Sequence, residues 1–219
     1  MHILVTAGPT REALDPVRYL TNRSSGRMGY ALAGAAAHEG HRVTLISGPT
    51  SLDVPPGVDF IPVESAGEMY DAVRSCCPRA DAAILCAAVA DYRPVRCETQ
   101  KIKKTAEALT IELERTPDIL GSMRGTFGFK GLLVGFAAET QDVEQYARGK
   151  LVKKQCDLIV ANDVSRKDIG FDSSENEVLL VSAASSRPLP KDTKEHIALQ
   201  IIGCMQELSE GSPSCSEPS

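Results

Sequence analysis

The stretch Ser24 to Ile46, "SSGRMGYALAGAAAHEGHRVTLI", decides the fold class. Met28, Ala31, Leu32, Ala35 and Ala36 recur at the spacing of one helical face, Gly40 supplies the stop, and "RVTLI" follows as a strand. Upstream, Ile3 to Thr6 is a shorter apolar run that breaks at Gly8-Pro9. Strand, helix and strand in that order make a βαβ unit, because parallel strands need a crossover helix between them.

The same alternation continues along the chain. Ser65 to Val73 opens with the capping box Ser65-x-x-Glu68 and turns Met69 and Val73 inward, which predicts a helix. "DAAILCAAVADY" (81–92), "GLLVGFAAET" (131–140) and "DLIVAND" (157–163) are near-continuous apolar runs, as expected of parallel strands covered on both faces. Val143 to Lys154 is a helix, and "PDILGSMR" (117–124) is a short one with Pro117 at its first position. "NEVLLVSAASSRPLP" (176–190) is a terminal strand and turn. Asp192-x-x-Glu195 then caps a last helix with Ala198, Ile201, Ile202 and Met205 on one side. Between residues 93 and 116, Leu109, Ile111 and Leu113 alternate with Thr110, Glu112 and Glu114, which predicts a half-buried antiparallel strand. The expectation is one doubly wound, mostly parallel Rossmann-like α/β domain over residues 1–208, with a small antiparallel insertion at about 93–116. Residues 209–219 are a polar Pro/Ser-rich tail, predicted to be disordered.

Composition narrows the function. The 219 residues carry a net charge of −5, and the basic residues are scattered apart from "KIKK" (101–104), which argues against nucleic acid as a partner. No apolar run approaches ~18 residues and "MHILVTAG" lacks the basic flank of a signal peptide, so a cytoplasmic protein with no membrane contact is expected. The seven cysteines form no C-x-x-C pair and read as reduced thiols.

Ligands of such sheets bind at the carboxyl ends of strands, which nominates "TAGPT", "CAAVADY", "FAAET" and "ANDVS". Ser24, Ser25 and Gly26 stand where a helix begins, as an anion cradle or as a simple N-cap with close-packing glycines. A nicotinamide enzyme is disfavoured, since the first turn reads "AGPTRE" rather than G-x-G-x-x-G and the second strand ends "LISGPTS" without an acid. Lys101, Lys103 and Lys104 are a solvated charge run or a mobile phosphate contact. Lys150 and Lys154 share a helix face and either meet an anion or face water. Asp91, at a strand end, suits ribose hydroxyls or a cation, or caps a turn. Phe136 stacks on a base or belongs to the core. His2, His38, His41 and His196 all sit at element edges, and no Ser/His/Asp set is spaced for nucleophilic catalysis.

Seven segments in order, "TAGPTREALDPVRYLTNRSSGRMG", "AAVADYRP", "KIKK", "PDIL", "GFAAET", "KLVKKQCDLIVANDVS" and "GFDSSENEV", resemble the phosphopantothenoylcysteine synthetases over roughly Ile3 to Ile202. The resemblance implies a ligase joining 4′-phosphopantothenate to L-cysteine with CTP and Mg²⁺ through an acyl-cytidylate, in coenzyme A biosynthesis. It implies Lys101 as the catalytic lysine of the first half-reaction and Asn22 as the asparagine of the second, there to donate to a developing oxyanion. It implies nucleotide contacts from Leu85, Cys86 and Ala87, from Asp91 and Lys101, from Pro117, Asp118, Ile119 and Leu120, and from Phe136, Lys150 and Lys154. No metal ligand is assigned. A homodimer joined through the insertion strands is implied, with the lysine loop folding over the site. So is a separate phosphopantothenoylcysteine decarboxylase as an associate, because many members are fused to one; the tail here favours a stand-alone synthetase. Use of ATP in place of CTP, and a nucleotide-binding module of the same fold without turnover, stay open as alternatives. Three positions depart from the family's pattern: Pro9 replaces a common Gly, Arg27 a usual Lys, and Ser174 an Asp in "GFxSDxNEV".

Overall fold

The computed structural model describes residues 1–103, 108–139, 141–163 and 174–211. Lys104 of the basic loop, Val164 and Ser165 of "ANDVS", the "GFDS" residues 170–173 and residues 212–219 of the tail lie outside them. In chain order the elements are β1 (His2–Ala7), a hairpin of β2 (Arg11–Ala13) and β3 (Tyr19–Thr21), α1 (Arg27–His38), β4 (Arg42–Ser47), β5 (Val58–Pro62), α2 (Ala66–Cys76) and β6 (Ala82–Leu85). A second small hairpin of β7 (Tyr92–Pro94) and β8 (Leu113–Arg115) follows, then α3 (Ile119–Gly125), β9 (Leu132–Glu139), α4 (Val143–Lys154), β10 (Leu158–Asp163), β11 (Glu175–Ser182), β12 (Ser186–Thr193) and α5 (Lys194–Ser209).

One eight-stranded sheet runs β12-β11-β10-β9-β6-β1-β4-β5. The six strands from β10 to β5 are parallel, and β11 and β12 add an antiparallel edge. The chain builds outward from β1 in one direction through β4 and β5, then returns to β6 and builds in the other, so the strand order reverses between β1 and β6. Crevices open at such switch points, outside the carboxyl ends of the strands. Ile3 and Val5 project into the core under α1 and α5, while Leu4 projects into the core under α2, α3 and α4. All four apolar residues predicted on the last helix are fully buried, and α1 buries a wider face than its stripe suggests because α5 packs against it.

Two glycines bring α1 close to the sheet. Gly26 precedes the helix at φ 77°, in the left-handed region that favours glycine, and neither Ser24 nor Ser25 caps the helix with its side chain. A Cβ on Gly29 would stand 2.5 Å from Ala7 Cβ and 3.0 Å from Ala7 Cα, so the helix rests directly on the end of β1.

Several local expectations shift by a residue or fail. Asp118, not Pro117, begins the α3 helix: its carboxylate accepts from the Gly121 N–H at 2.9 Å, and Pro117 lies outside the helix. Thr193 rather than Asp192 caps α5, accepting from the His196 N–H at 3.2 Å. Ser65 caps α2 as expected, but the Glu68 carboxylate reaches back to the Glu64 N–H. The alternating segment forms a strand only at Leu113–Arg115, and Leu109, Ile111 and Leu113 are exposed because no second layer covers the β7–β8 hairpin. The hairpin β2–β3 and strand β5 had no sequence signal; three-residue strands are too short to show a period. Among the described residues Cys76, Cys77, Cys86, Cys97 and Cys156 are free thiols. Among the described residues no helix is long and apolar enough to cross a membrane.

Gly29→Ala should lower unfolding free energy by about 1–3 kcal/mol, since an added methyl meets β1 backbone rather than a flexible tip. Urea unfolding measures it, and wild-type stability would show that α1 has room to lift.

Candidate active site at the switch point

Past their paired segments, the chain leaving β1 and the chain leaving β6 keep running side by side. The Ala88 N–H donates to Gly8 O at 2.9 Å and the Thr10 N–H to Ala88 O at 3.3 Å. Two buried threonine hydroxyls extend the seam, Thr6 Oγ1 accepting from the Ala87 N–H at 3.2 Å and Thr10 Oγ1 from the Ala90 N–H at 2.9 Å. Thr21, at the end of the β2–β3 hairpin, donates its hydroxyl to Thr10 O at 2.7 Å. Asn22 is thereby brought over the loop after β6, where its Nδ2 donates to Ala88 O at 3.1 Å and Val89 O at 3.0 Å.

Two clefts open on either side of this loop and share Ala87, Val89, Asp91, Phe136 and Lys150 as a common wall. The first, of about 500 Å³, is closed by Leu85, the Pro117 to Leu120 turn, Arg115 and Lys154. The second, of about 400 Å³, is lined by Asn22, Ser24, Ser25, Gly26 and Cys86, and by Lys194. The structure thus brings together nearly every nominated residue, split between two chambers. Phe136 is half-buried and faces both. Lys101 is the exception: it is exposed and lines neither cleft of this chain.

The first cleft is basic and partly compensated. Lys150 donates to Phe136 O at 2.7 Å, and burial, with Lys154 nearby, pushes its ammonium down from its ordinary value. Lys154 is paired with Asp118. Burial alone would push the Asp118 carboxyl up, but the bonds from Lys154 and the Gly121 N–H outweigh it and hold it below the ordinary value. An anion entering here meets two ammonium groups and the Arg115 guanidinium, with a carboxylate that already serves as a helix cap. In the second cleft the half-buried Cys86 thiol is pushed up to about 12 by desolvation, so it stays protonated beside the site. Among the described residues no group of three His, Cys, Asp or Glu side chains converges as a metal cage. Asp91 is the carboxylate on the shared wall, which fits a hard cation carried mainly by a ligand's own oxygens.

Sequence reasoning nominated "TAGPT" and "ANDVS" as strand ends but gave no part to Thr6 and Thr10, which hold the two loops together, or to Asn162, whose Oδ1 is buried and accepts no hydrogen bond from the described residues. It assigned nothing to Arg115 and Thr116 in the first cleft or to Asn176 and Lys194 in the second. The apolar run of β1 hid Thr6 inside a strand pattern, and Thr10 stood in a turn where a hydroxyl has many local uses. The burial of Lys194 at the first position of α5 is visible only in the fold, and it marks the residue because lysine is rarely fully buried without a purpose.

The family model of the DNA/pantothenate metabolism flavoprotein C-terminal domain matches residues 1–208. The coenzyme A biosynthesis bifunctional protein CoaBC of Vibrio parahaemolyticus is 52% identical over 208 residues, covering 94% of this chain and 52% of that protein. The Bacillus subtilis protein of the same name is 49% identical over 211 residues, covering 95% and 52%. The chain therefore spans about half the length of the curated relatives it matches. Among solved structures, the C-terminal domain of a coenzyme A biosynthesis bifunctional protein CoaBC superposes with a TM-score of 0.81 at 43% identity, covering 96% of each chain. The DNA/pantothenate metabolism flavoprotein from Streptococcus pneumoniae superposes at 0.82 with 26% identity, covering 95% of this chain and 99% of that one. On the match of the whole described sheet, from β1 through α5, the chain belongs to the DNA/pantothenate metabolism flavoprotein C-terminal domain family.

Proposed function

We propose that the chain is a cytoplasmic phosphopantothenate–cysteine ligase of coenzyme A biosynthesis, joining 4′-phosphopantothenate and L-cysteine at the expense of CTP. The observation that carries this reading is the pair of clefts meeting across one wall. One is basic enough for a nucleotide's phosphates, with Phe136 beside them; the other is lined by Asn22 and the Ser24 to Gly26 turn. A reaction in which an acyl group passes from a nucleotide to an amine needs two such chambers, open to each other where the acyl phosphate forms.

In the first half-reaction a carboxylate oxygen of phosphopantothenate attacks the α-phosphorus of CTP, the α–β bridging bond breaks, and pyrophosphate leaves with its electron pair. Such a transfer asks chiefly for position and charge neutralisation, which Lys150 and Lys154 supply at the first cleft and Lys101 supplies from its loop. Mg²⁺ would ride on the triphosphate oxygens, near Asp91, and add charge neutralisation there. In the second half-reaction the amine of cysteine attacks the acyl carbon, the bond to the phosphate oxygen breaks, CMP departs, and the surplus ammonium proton passes to water. Asn22 contributes differently from an oxyanion donor, because both of its Nδ2 hydrogens are directed at Ala88 O and Val89 O. What it can offer is Oδ1, an acceptor suited to the N–H of the attacking amine, at a point fixed by the loop it holds.

A second copy of the chain belongs to this proposal. Leu109, Ile111 and Leu113, with Val95 of the same insertion and Tyr92 just before it, are exposed apolar side chains, and a homodimer would cover them. The product's carboxyl group, left by the cysteine, makes a decarboxylase the natural next enzyme.

CTP, phosphopantothenate, Mg²⁺ and cysteine should together yield CMP and pyrophosphate, with ATP slower in the same assay; absence of CMP above background overturns the reading. Lys101→Gln should abolish pyrophosphate release, and normal release would remove that lysine from the first step. Asn22→Asp keeps an acceptor but sets negative charge against two carbonyls. It should let the acyl-cytidylate form and persist, and failure of the intermediate to accumulate would remove Asn22 from the second step.

A further inference from the structure

The turn of the β2–β3 hairpin, "DPVR" at 15–18, has no part in the chemistry above, yet it carries an unusually well-served carboxylate. Asp15 is 3% exposed. Its Oδ1 accepts from the Val17 N–H at 2.8 Å and the Arg18 N–H at 2.9 Å. Its Oδ2 accepts from Arg18 Nε at 2.9 Å and from Arg18 Nη2. The same Oδ2 accepts from the Ile102 N–H at 3.1 Å, across 87 residues of sequence. Arg18 Nη2 in turn donates to Ile102 O at 3.0 Å, and the Glu98 N–H donates to Leu14 O at 3.0 Å.

The bonds to Val17 and Arg18 are those of any Asx-type turn and need no function. The bonds to Ile102 are different. Both hydrogen-bonding groups of the residue directly after Lys101 are gripped, the N–H by a carboxylate and the C=O by a guanidinium, while Lys101 and Lys103 on either side are exposed. The ion pair with Arg18 keeps the Asp15 carboxyl well below the usual carboxylate range, so the grip stays charged at any pH the protein meets.

Building on the ligase reading, we propose that Asp15 and Arg18 form a clip that positions Lys101 for the first half-reaction, by fixing the backbone one residue beyond it. Asp15 is a positioning residue: it touches neither cleft and acts through the loop. Lys101 lines neither cleft in this geometry, so the clip acts by limiting the loop's freedom, which lowers the ordering cost of bringing the lysine to the phosphates at each turnover.

The test is Asp15→Asn in the full chain, read in three ways. Trypsin cleavage after Lys101, with no substrate present, should accelerate by about tenfold, and pyrophosphate release should fall by about tenfold or more. Release of CMP from presynthesised acyl-cytidylate and cysteine should stay within about twofold of wild type, because that step does not use Lys101. Unchanged cleavage in a folded variant overturns the clip. So does an equal fall in both half-reactions, which would show only that the hairpin supports Asn22. If Asp15→Asn does not fold, Ile102→Pro deletes the loop's N–H and leaves the Asp15–Arg18 pair intact; cleavage after Lys103 and pyrophosphate release at wild-type rates would then overturn the proposal. If the wild-type chain releases no pyrophosphate, the ligase reading fails, and the cleavage measurement still judges the clip.

Discussion

The seam between the ends of β1 and β6 is the constraint on which the site depends. Thr6 and Thr10 accept the N–H groups of Ala87 and Ala90, continuing by side chain what the strands do by backbone. Added to the backbone bonds between Gly8, Thr10 and Ala88, they keep the two loops together past the switch point, each satisfying an amide that water would otherwise take. Because they stay together, the loop after β6 stands between two clefts as a thin wall, and Asn22 can rest on it. The close seating of α1 on Ala7 serves the same end, as it brings the Ser24 to Gly26 turn against the opposite side of that wall.

Charge is distributed to match. Lys150 and Lys154 are kept from repelling each other freely by giving each a partner, the Phe136 carbonyl for one and the Asp118 carboxylate for the other. Asp118 can serve because its second oxygen already caps α3. One carboxylate therefore begins a helix and tempers a basic cleft, which explains why the turn of Pro117 to Leu120 lies at the site at all. A comparable carboxylate, Asp15, is committed to joining the first hairpin to the basic loop.

Much of the fold was legible from period alone. The stripe Met28, Ala31, Leu32, Ala35, Ala36 and the apolar runs at 3–6, 82–85 and 132–138 predicted a parallel sheet with covered faces, and such patterns are local consequences of burying one face or two. The site was legible in part as strand ends, for the same reason: Leu85 to Ala87 and Asp91 had to emerge at the carboxyl edge, while Lys150 was legible only as one of two lysines on a helix face. Capping was legible only to within a residue. Pro117, Asp118, Asp192 and Thr193 are all chemically able to precede a helix, and which one caps is decided by where the preceding strand leaves the sheet.

By itself, then, the sequence determined the alternation of strands and helices, the identity of the helix faces and the grouping of candidate ligands at one edge of a sheet. These follow from periodicities of two and 3.6 residues, which every stretch of chain carries in itself. Only the tertiary structure decided that Asn22 spends its amide hydrogens on Ala88 and Val89, that Lys101 stands outside both clefts, and that Asp15 holds Ile102. The first and last are hydrogen bonds between groups dozens of residues apart, the second is a matter of where a loop runs, and no local pattern records either.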